Sequence, residues 1–140
     1  MGYRVVDHTA DLGIEIQAES VNRLFSEAAL AFADCITEVG KIRDRRQRSL
    51  RVVSESLELL LVDWLSELLF VFESDGELFS GVEAEVSETD RGWQVVASAG
   101  GEEFDEVRHP LKIPIKAVTY HGLAVTRDND QWYGRIIFDI

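Results

Sequence analysis

The amino-acid sequence predicts a single α+β domain in which two helices pack on a mostly antiparallel β-sheet of about six strands. Apolar residues recur at helical spacing over residues 21–39 and 57–72. Most of the remaining sequence alternates apolar and polar residues in short runs separated by turn sequences, as strands joined by hairpins do. A chain of 140 residues can bury its own core, and we assign one domain to residues 1–140.

The first strand and the first helix follow a polar turn near the amino terminus. Residues 14–18 alternate in character, which predicts a half-buried strand. Ser20 is a suitable N-cap for the helix, and Gly40 is a suitable residue for its end. The apolar residues at helical spacing between them are Val21, Leu24, Phe25, Ala28, Phe32, Cys35, Ile36 and Val39. Because Cys35 belongs to this stripe, we predict a buried core cysteine and not a nucleophile.

The second helix, over residues 57–72, is apolar on nearly every side and is therefore predicted to be the most buried element. Ser54 or Ser56 can cap its amino-terminal end. Asp63 and Glu67 are four residues apart, so their carboxylates lie on one face. Two interpretations of this pair are open. It is either a narrow exposed stripe, or one of the two faces a functional site and holds a base or a metal-bound water there.

The other elements are predicted to be strands. They cover residues 49–53, 82–86, 93–99, 113–126 and 131–139. The glycine pair at residues 100–101 is expected to break the third of these strands. The acidic residues 102–110 then predict a mobile surface loop, in which His109 is solvated.

Charge is distributed unevenly along the chain. The formal net charge is −12, yet residues 41–51 contain six of the fourteen Lys and Arg residues. This basic run is either a solvated connection or a surface that contacts an acidic protein or RNA. Binding along a phosphate backbone needs clustered cations, so the acidic balance disfavours direct nucleic-acid binding. It suits a hard cation or a basic protein partner better.

Nothing in the sequence predicts a membrane segment or a leader. The apolar run at residues 57–72 is interrupted by charged residues, and the amino terminus lacks a basic and then apolar leader. The single cysteine excludes an internal disulfide and is compatible with a reducing compartment. We therefore expect a cytoplasmic protein with no membrane association.

Polar residues at the two ends of the chain form the candidate site. The sequence DHTADLG at residues 7–13 places Asp11 just before a predicted strand, which fits either a capped turn or a polar binding cluster. At the other end, Asp139 is followed by Ile140, whose α-carboxylate is a second oxygen group. Together with Asp11 these groups form the hard oxygen set that Ca²⁺, Mg²⁺ or Mn²⁺ prefers. Periodicity alone does not show whether the two ends meet.

Four motifs resemble the archease family. They are DHTAD at residues 7–11, WLSELLF at 64–70, IKAVTYH at 115–121 and IFDI at 137–140. They occur in the family's order and span essentially the whole chain. The resemblance implies a protein that is not an enzyme in its own right. Such a protein is a cytoplasmic activator of an RtcB-type RNA ligase in tRNA splicing and RNA repair. It promotes guanylylation and turnover of the ligase and broadens the ligase's nucleotide use.

The resemblance also implies the site residues. The family's metal-binding positions fall on Asp11, Asp139 and Ile140, the last through its terminal carboxylate. Lys116 in the KAVTY motif is a further functional position. The ligase-activating candidates are Lys116, from the resemblance, and His8, Glu67 and Asp63, from the polar residues themselves. We expect the metal to be Ca²⁺ in a crystal and Mg²⁺ or Mn²⁺ in function.

Two other functions are open at this point. One is a chaperone-like modulator of a tRNA methyltransferase, a role also attached to the family, which would use the apolar surface near Trp132 and Tyr133. The other is a stand-alone metal-dependent hydrolase built on Asp11, Asp139 and His8. Against the hydrolase, no nucleophile–base pair or Gly-rich phosphate loop is recognisable.

Overall fold

Two antiparallel sheets enclose two helices. The computed structural model describes residues 2–7 and 11–140. In chain order its helices and strands are β1 (Gly2–Asp7), β2 (Asp11–Ala18), α1 (Val21–Ile36), β3 (Arg46–Ser54), α2 (Leu57–Asp75), β4 (Glu77–Thr89), β5 (Gly92–Glu103), β6 (Ala117–Asp128) and β7 (Gln131–Asp139). One sheet has the strand order β1-β2-β7-β6 and the other has the order β3-β5-β4. Each helix packs against strands of both sheets, which confirms the predicted α+β domain.

The four-stranded sheet is made from two hairpins that come from opposite ends of the chain. The β1–β2 hairpin and the β6–β7 hairpin are joined by antiparallel pairing of β2 with β7. Alternation places Leu12, Ile14 and Ile16 of β2 on the inner face, where they are buried against the helices. The predicted strand at residues 14–18 is therefore confirmed, although it begins earlier, at Asp11.

Strand β1 was not predicted from the sequence. It is an edge strand that pairs with β2 alone, and the short GYRVVD segment lacks a clear period-two pattern. The strand is attached to α1 through Tyr3, whose hydroxyl donates to Oδ2 of Asp34 at 3.0 Å. Pairing with β2, which periodicity cannot reveal, thus decides the conformation of this segment.

Helix α1 begins as predicted and ends earlier than predicted. The Oγ of Ser20 accepts a hydrogen bond from the backbone N–H of Arg23, which confirms the N-cap. The helix ends at Ile36, and a short 3₁₀ turn over Val39–Lys41 follows it. Cys35 is 3% exposed, as predicted, and burial raises the pKa of its thiol to about 11. A thiol with a raised pKa is a poor nucleophile.

Helix α2 lies between the two sheets, which explains its apolar residues on nearly every side. The Oγ of Ser56 accepts from the backbone N–H of Leu59, so Ser56 and not Ser54 is the N-cap. Trp64 is fully buried, and its indole N–H donates to the carbonyl oxygen of Phe25 at 3.0 Å. Within the described part of the chain, no helix is long and apolar enough to cross a membrane.

Helix α1 also covers the outer edge of β4. The backbone N–H of Val86 donates to Oδ1 of Asn22 at 2.8 Å, and that of Ala84 donates to Oγ of Ser26 at 3.2 Å. Strand β4 is an edge of the three-stranded sheet, so these amides would otherwise be available to another strand. The helix therefore satisfies and shields them.

The basic run at residues 41–51 is divided between a connection and a strand. Strand β3 begins at Arg46, three residues before the predicted start at residue 49. It is the other edge of the three-stranded sheet, and a charged edge strand discourages pairing with further chains. The Arg48 guanidinium forms ion pairs with Asp75 and Glu77. The interpretation of the whole run as a solvated connection is therefore wrong for residues 46–51.

The predicted break at residues 100–101 is also wrong, because β5 continues through both glycines to Glu103. The pairing with β4 shifts register between Phe79 and Gly81, opposite these glycines. The β4 backbone approaches so closely there that a methyl group on Gly101 would overlap the carbonyl oxygen of Leu78. Gly101 therefore permits a close approach of two strands and does not end one.

This close approach predicts the effect of a single substitution. Gly101→Ala is expected to lower the free energy of unfolding by about 2–4 kcal/mol, because backbone atoms must move to admit the methyl group. Gly81→Ala is the matched control in β4, where a methyl group meets no atom within 4 Å. Chemical denaturation of both variants measures the difference. Equal stabilities would show that β4 and β5 are not in close contact at Gly101.

The structure corrects two predictions for the segment between β5 and β6, namely where β6 begins and whether His109 is solvated. Strand β6 begins at Ala117 and not at residue 113, and its pairing with β7 shifts between Thr119 and Ala124. This shift leaves residues 120–123 as a bulge on the edge of the sheet. His109 is 1% exposed, so the expectation of a solvated histidine in a mobile loop is wrong.

Candidate functional site

Asp11 and Asp139 meet at one end of the four-stranded sheet. Asp11 is the first residue of β2 and Asp139 is the last residue of β7, and the two are direct register partners. Directly opposite residues of an antiparallel pair point to the same face, with Cβ atoms about 4.5–5.5 Å apart. Since the next pair, Leu12 and Phe138, is buried on the inner face, both carboxylates belong to the outer face.

Lys116 and Ile140 lie beside this carboxylate pair. The backbone N–H of Lys116 donates to the carbonyl oxygen of Asp139 at 2.8 Å, and Ala117 is the register partner of Asp139 in β6. The Lys116 side chain is exposed. Ile140 directly follows Asp139, and its side chain packs against the core. The structure therefore brings together Asp11, Asp139, Ile140 and Lys116, although the first is separated from the others by most of the chain.

The other predicted residues do not join this group. His8 lies outside the described residues. Asp63 is half-buried on α2, and its Oδ2 accepts a hydrogen bond from the Ser54 hydroxyl at the end of β3. Glu67 is half-buried one turn further along α2. Asp63 thus stabilises the junction of β3 and α2, in a different part of the fold from the carboxylate pair.

The donor set at the strand ends suits a hard divalent cation. Two carboxylates that face each other repel, and a cation held between them relieves this repulsion. Asp139 is exposed, while one carboxylate oxygen of Asp11, Oδ1, is shielded from solvent. In the described residues, no three His, Cys, Asp or Glu side chains are grouped to hold a metal. A complete coordination shell would therefore include oxygen from the Ile140 α-carboxylate, from the backbone or from water.

A second polar cluster surrounds Glu102, and the sequence patterns did not predict it. Glu102 is 4% exposed and accepts from Nη2 of Arg108 at 2.6 Å, from the backbone N–H of Arg43 at 2.8 Å, and from Nε2 of His109 at 2.9 Å. The Nδ1 of His109 accepts from the backbone N–H of Asp105 at 2.8 Å, so Nε2 carries the proton given to Glu102.

These contacts stabilise the ionised form of Glu102. The hydrogen bond from Arg108 contributes most and, with those from Arg43 and His109, lowers the pKa of the Glu102 carboxyl to about 2. The cluster joins the connection before β3 to the segment after β5, so it is structural. Its only sequence signal is the presence of Arg108 and His109 within seven residues of Glu102, which periodicity does not detect.

The fold and the carboxylate pair define a small α+β protein in which the two ends of the chain meet at one polar site. Residues 3–140 match the Archease protein family (MTH1598/TM1083). The chain belongs to the archease family, as the four motifs indicated.

Individual relatives agree with this assignment. Protein archease of Methanopyrus kandleri is 35% identical over 140 residues, covering 100% of this chain and 100% of that protein. The solution structure of Methanobacterium thermoautotrophicum protein 1598 has a TM-score of 0.84 at 30% identity, and the match covers 99% of each chain. The crystal structure of an archease from Thermotoga maritima, described as a possible chaperone, has a TM-score of 0.63 at 22% identity over 96% of this chain and 94% of that one. This last similarity concerns the fold alone.

Proposed function

We propose that this protein is a non-catalytic activator of an RtcB-type RNA ligase in tRNA splicing and RNA repair. The observation that carries the proposal is the register of Asp11 with Asp139 at the ends of β2 and β7, with Lys116 beside them. This is the residue set to which the archease resemblance assigns metal binding and activation. The proposal includes promotion of ligase guanylylation and turnover, broader nucleotide use, a cytoplasmic location and no direct nucleic-acid binding.

Asp11, Asp139 and the α-carboxylate of Ile140 are the proposed ligands of a divalent cation, Ca²⁺, Mg²⁺ or Mn²⁺. In guanylylation, a ligase histidine attacks the α-phosphorus of GTP, the bond to the bridging oxygen of the β-phosphate breaks, and pyrophosphate leaves with the negative charge that develops. A divalent cation supplies positive charge that neutralises and orients such phosphates. The present chain contributes the oxygen donors, and the pairing of β2 with β7 holds them in a fixed arrangement.

Lys116 adds a positive charge beside the carboxylates. Its backbone amide is fixed by the bond to Asp139, whereas its side chain extends into solvent. A lysine ammonium is a compact, mobile point charge that can reach a phosphate or a carboxylate of a partner. We propose that Lys116 contacts the ligase or its nucleotide once the two proteins have associated.

A chaperone-like modulator of a tRNA methyltransferase is the second candidate. It is a role also attached to the archease family, to which the chain belongs. Large exposed apolar side chains do occur, but they belong to separate elements, such as Phe70 on α2, Tyr120 on β6 and Val107 between β5 and β6. These side chains favour neither role, whereas the register of Asp11 with Asp139 favours the ligase activator.

A pre-steady-state guanylylation assay tests the proposal. An RtcB-type ligase is mixed with GTP and each of several divalent metals, with and without this protein. We expect faster guanylylation and more turnovers in its presence. No stimulation with any metal would exclude the activator role. Binding of an unfolded methyltransferase without an effect on the ligase would support the chaperone-like role instead.

The same reagents test the stand-alone hydrolase. The purified protein is incubated without ligase on nucleotides and phosphoesters with each metal. We expect no turnover, because the described residues of the proposed site are Asp11, Asp139, Ile140 and Lys116, which include no Ser, Thr or Cys nucleophile. Metal-dependent hydrolysis that disappears in Asp139→Ala would make the protein an enzyme.

The involvement of Ile140 predicts the effect of a carboxy-terminal extension. A short Gly-Ser extension after Ile140 replaces its α-carboxylate by an amide and is expected to weaken cation binding by about tenfold or more, since an anionic ligand is lost. Isothermal titration with Mn²⁺ measures this change. An amino-terminal extension of the same length is the control. Equal affinities of both extended proteins would exclude Ile140 as a ligand.

A further inference from the structure

The outer face of the four-stranded sheet carries a groove, and the residues of the proposed cation site are not among those that line it. The groove has a volume of about 530 Å³. Its polar lining residues include Arg4, Glu15, Gln17, Tyr133 and Arg135. Arg135 lies on β7, four residues before Asp139, and therefore on the same face of the strand. At about 3.4 Å per residue, the two Cα atoms are about 14 Å apart along β7.

The two arginines of the groove differ in their partners. Arg4, Glu15 and Arg135 form a row across β1, β2 and β7 because they are successive register partners. Nη2 of Arg4 donates to both carboxylate oxygens of Glu15 at 3.1 Å. Within residues 2–7 and 11–140, the Arg135 side chain forms no ion pair and no hydrogen bond. Glu15 therefore neutralises Arg4, and the charge of Arg135 is left for another group.

The bulge of β6 orients the Arg135 guanidinium. Gly122 in the bulge has a φ of 62°. A Cβ atom built on Gly122 would lie 3.2 Å from Nε, 3.4 Å from Cζ and 3.5 Å from Nη2 of Arg135. Three atoms at such similar distances show that the flat side of the guanidinium rests against the glycine. One face of the group is thus covered, while the side chain as a whole remains exposed. This contact restricts the conformations of the guanidinium and so reduces the conformational entropy that is lost when it binds a ligand.

We propose that Arg135 is a docking residue that binds a surface carboxylate of the partner ligase in a two-point ion pair. The inference rests on the proposed function, because a cation site that acts on the ligase must face the ligase. Arg135 shares that face with Asp11 and Asp139. The forked guanidinium matches a carboxylate with two parallel hydrogen bonds. The groove beside Arg135, lined by Tyr133 and Thr126, gives space for the acidic side chain.

The charges of this face favour a protein carboxylate over an RNA phosphate. A nucleic-acid strand brings a row of phosphates and needs a row of uncompensated cations. Here Arg135 is flanked by Glu15, and Asp11 and Asp139 lie on the same face. A single acidic side chain needs only the one free guanidinium. The chain's net charge of −12 would also oppose a polyanion more strongly than a single carboxylate.

The test compares Arg135→Gln with Arg4→Gln, which removes the already paired arginine from the same face. Binding of each full-length variant to the ligase is measured by titration, and thermal unfolding checks that each is folded. Arg135→Gln is expected to raise the Kd about 10- to 100-fold, since the two-point ion pair with the ligase carboxylate is lost. Arg4→Gln is expected to leave the Kd nearly unchanged. Arg135→Lys should recover only part of the affinity.

The possible results distinguish failure of the role proposed for Arg135 from failure of the proposed function. Unchanged affinity of Arg135→Gln for the ligase, or equal weakening by Arg4→Gln, overturns the role of Arg135 while ligase activation stands. If Arg135→Gln instead weakens binding of a single-stranded RNA and not of the ligase, the anionic group is a phosphate and the proposal is wrong. Failure of the wild-type protein to bind or stimulate the ligase overturns the proposed function, and this inference falls with it.

Discussion

Asp11→Ala and Asp139→Ala are each expected to reduce the rate of ligase guanylylation to the level measured without this protein. Each substitution removes one of two opposed carboxylates from the proposed cation site, and the remaining one cannot hold a hard divalent ion alone. Asp139 is exposed, and removing one of two facing like charges relieves repulsion, so Asp139→Ala should change the free energy of unfolding by less than about 1 kcal/mol. Single-turnover guanylylation and thermal unfolding measure the two effects.

Glu83→Ala is the matched control for these variants. Glu83 is an exposed carboxylate on β4, in the other sheet. It should leave both ligase stimulation and Mn²⁺ affinity unchanged. Full stimulation by Asp11→Ala or Asp139→Ala would contradict the proposed role of the carboxylate pair. Loss of stimulation together with a large fall in the unfolding temperature would instead assign these residues to the fold.

Glu102→Ala is expected to lower the free energy of unfolding by about 3–5 kcal/mol, the usual cost of removing one partner from a buried ion pair. The substitution leaves the Arg108 guanidinium, the His109 ring and the Arg43 amide without their common acceptor. Chemical denaturation at neutral pH measures the effect. Glu106→Ala, at an exposed position of the same segment, is the control and should be close to neutral. Equal stabilities would show that the Glu102 cluster does not support the fold.

The same residue predicts part of the acid sensitivity of the protein. The pKa of the Glu102 carboxyl is lowered from 4.5 to about 2 in the folded state, chiefly by Arg108. A lowered pKa means that the stabilisation is complete above about pH 4.5 and is lost as the pH falls through about 2. The wild-type protein should therefore lose stability more steeply over this range than Glu102→Gln. If the free energy of unfolding fell equally with pH in the wild type and in Glu102→Gln, the lowered pKa of the Glu102 carboxyl would be contradicted.

The helices and the central strands were predictable because their signals are local. Ser20 and Ser56 cap the helices through hydrogen bonds to residues three positions later. The alternation in β2 and β7 follows from one buried face, and it also places Asp11 and Asp139 outward. What alternation cannot supply is register across strands that are distant in sequence. The pairing of Asp11 with Asp139 was therefore only a hypothesis until the fold was known.

The errors arose where tertiary contacts decide the conformation. The two glycines of β5 resemble a strand break, but they serve a close approach to β4 that no local pattern announces. The acidic residues after β5 resemble a loop, but Arg43 and Arg108 make Glu102 a buried acceptor. The contact between the Arg135 guanidinium and Gly122 could not be predicted from local sequence, because the bulge in β6 brings the two residues together.

The carboxylate pair forms only when the β1–β2 hairpin and the β6–β7 hairpin have paired through β2 and β7. Asp11 and Asp139 are 128 positions apart (139 − 11 = 128). Contacts between residues so far apart in sequence form slowly, because the loop-closure entropy must be overcome before the contact is gained. Strand β7 also lies between β2 and β6, so a chain that stops before it lacks the link between the hairpins. A chain that is cut before β7 therefore lacks Asp139 and cannot form the proposed site.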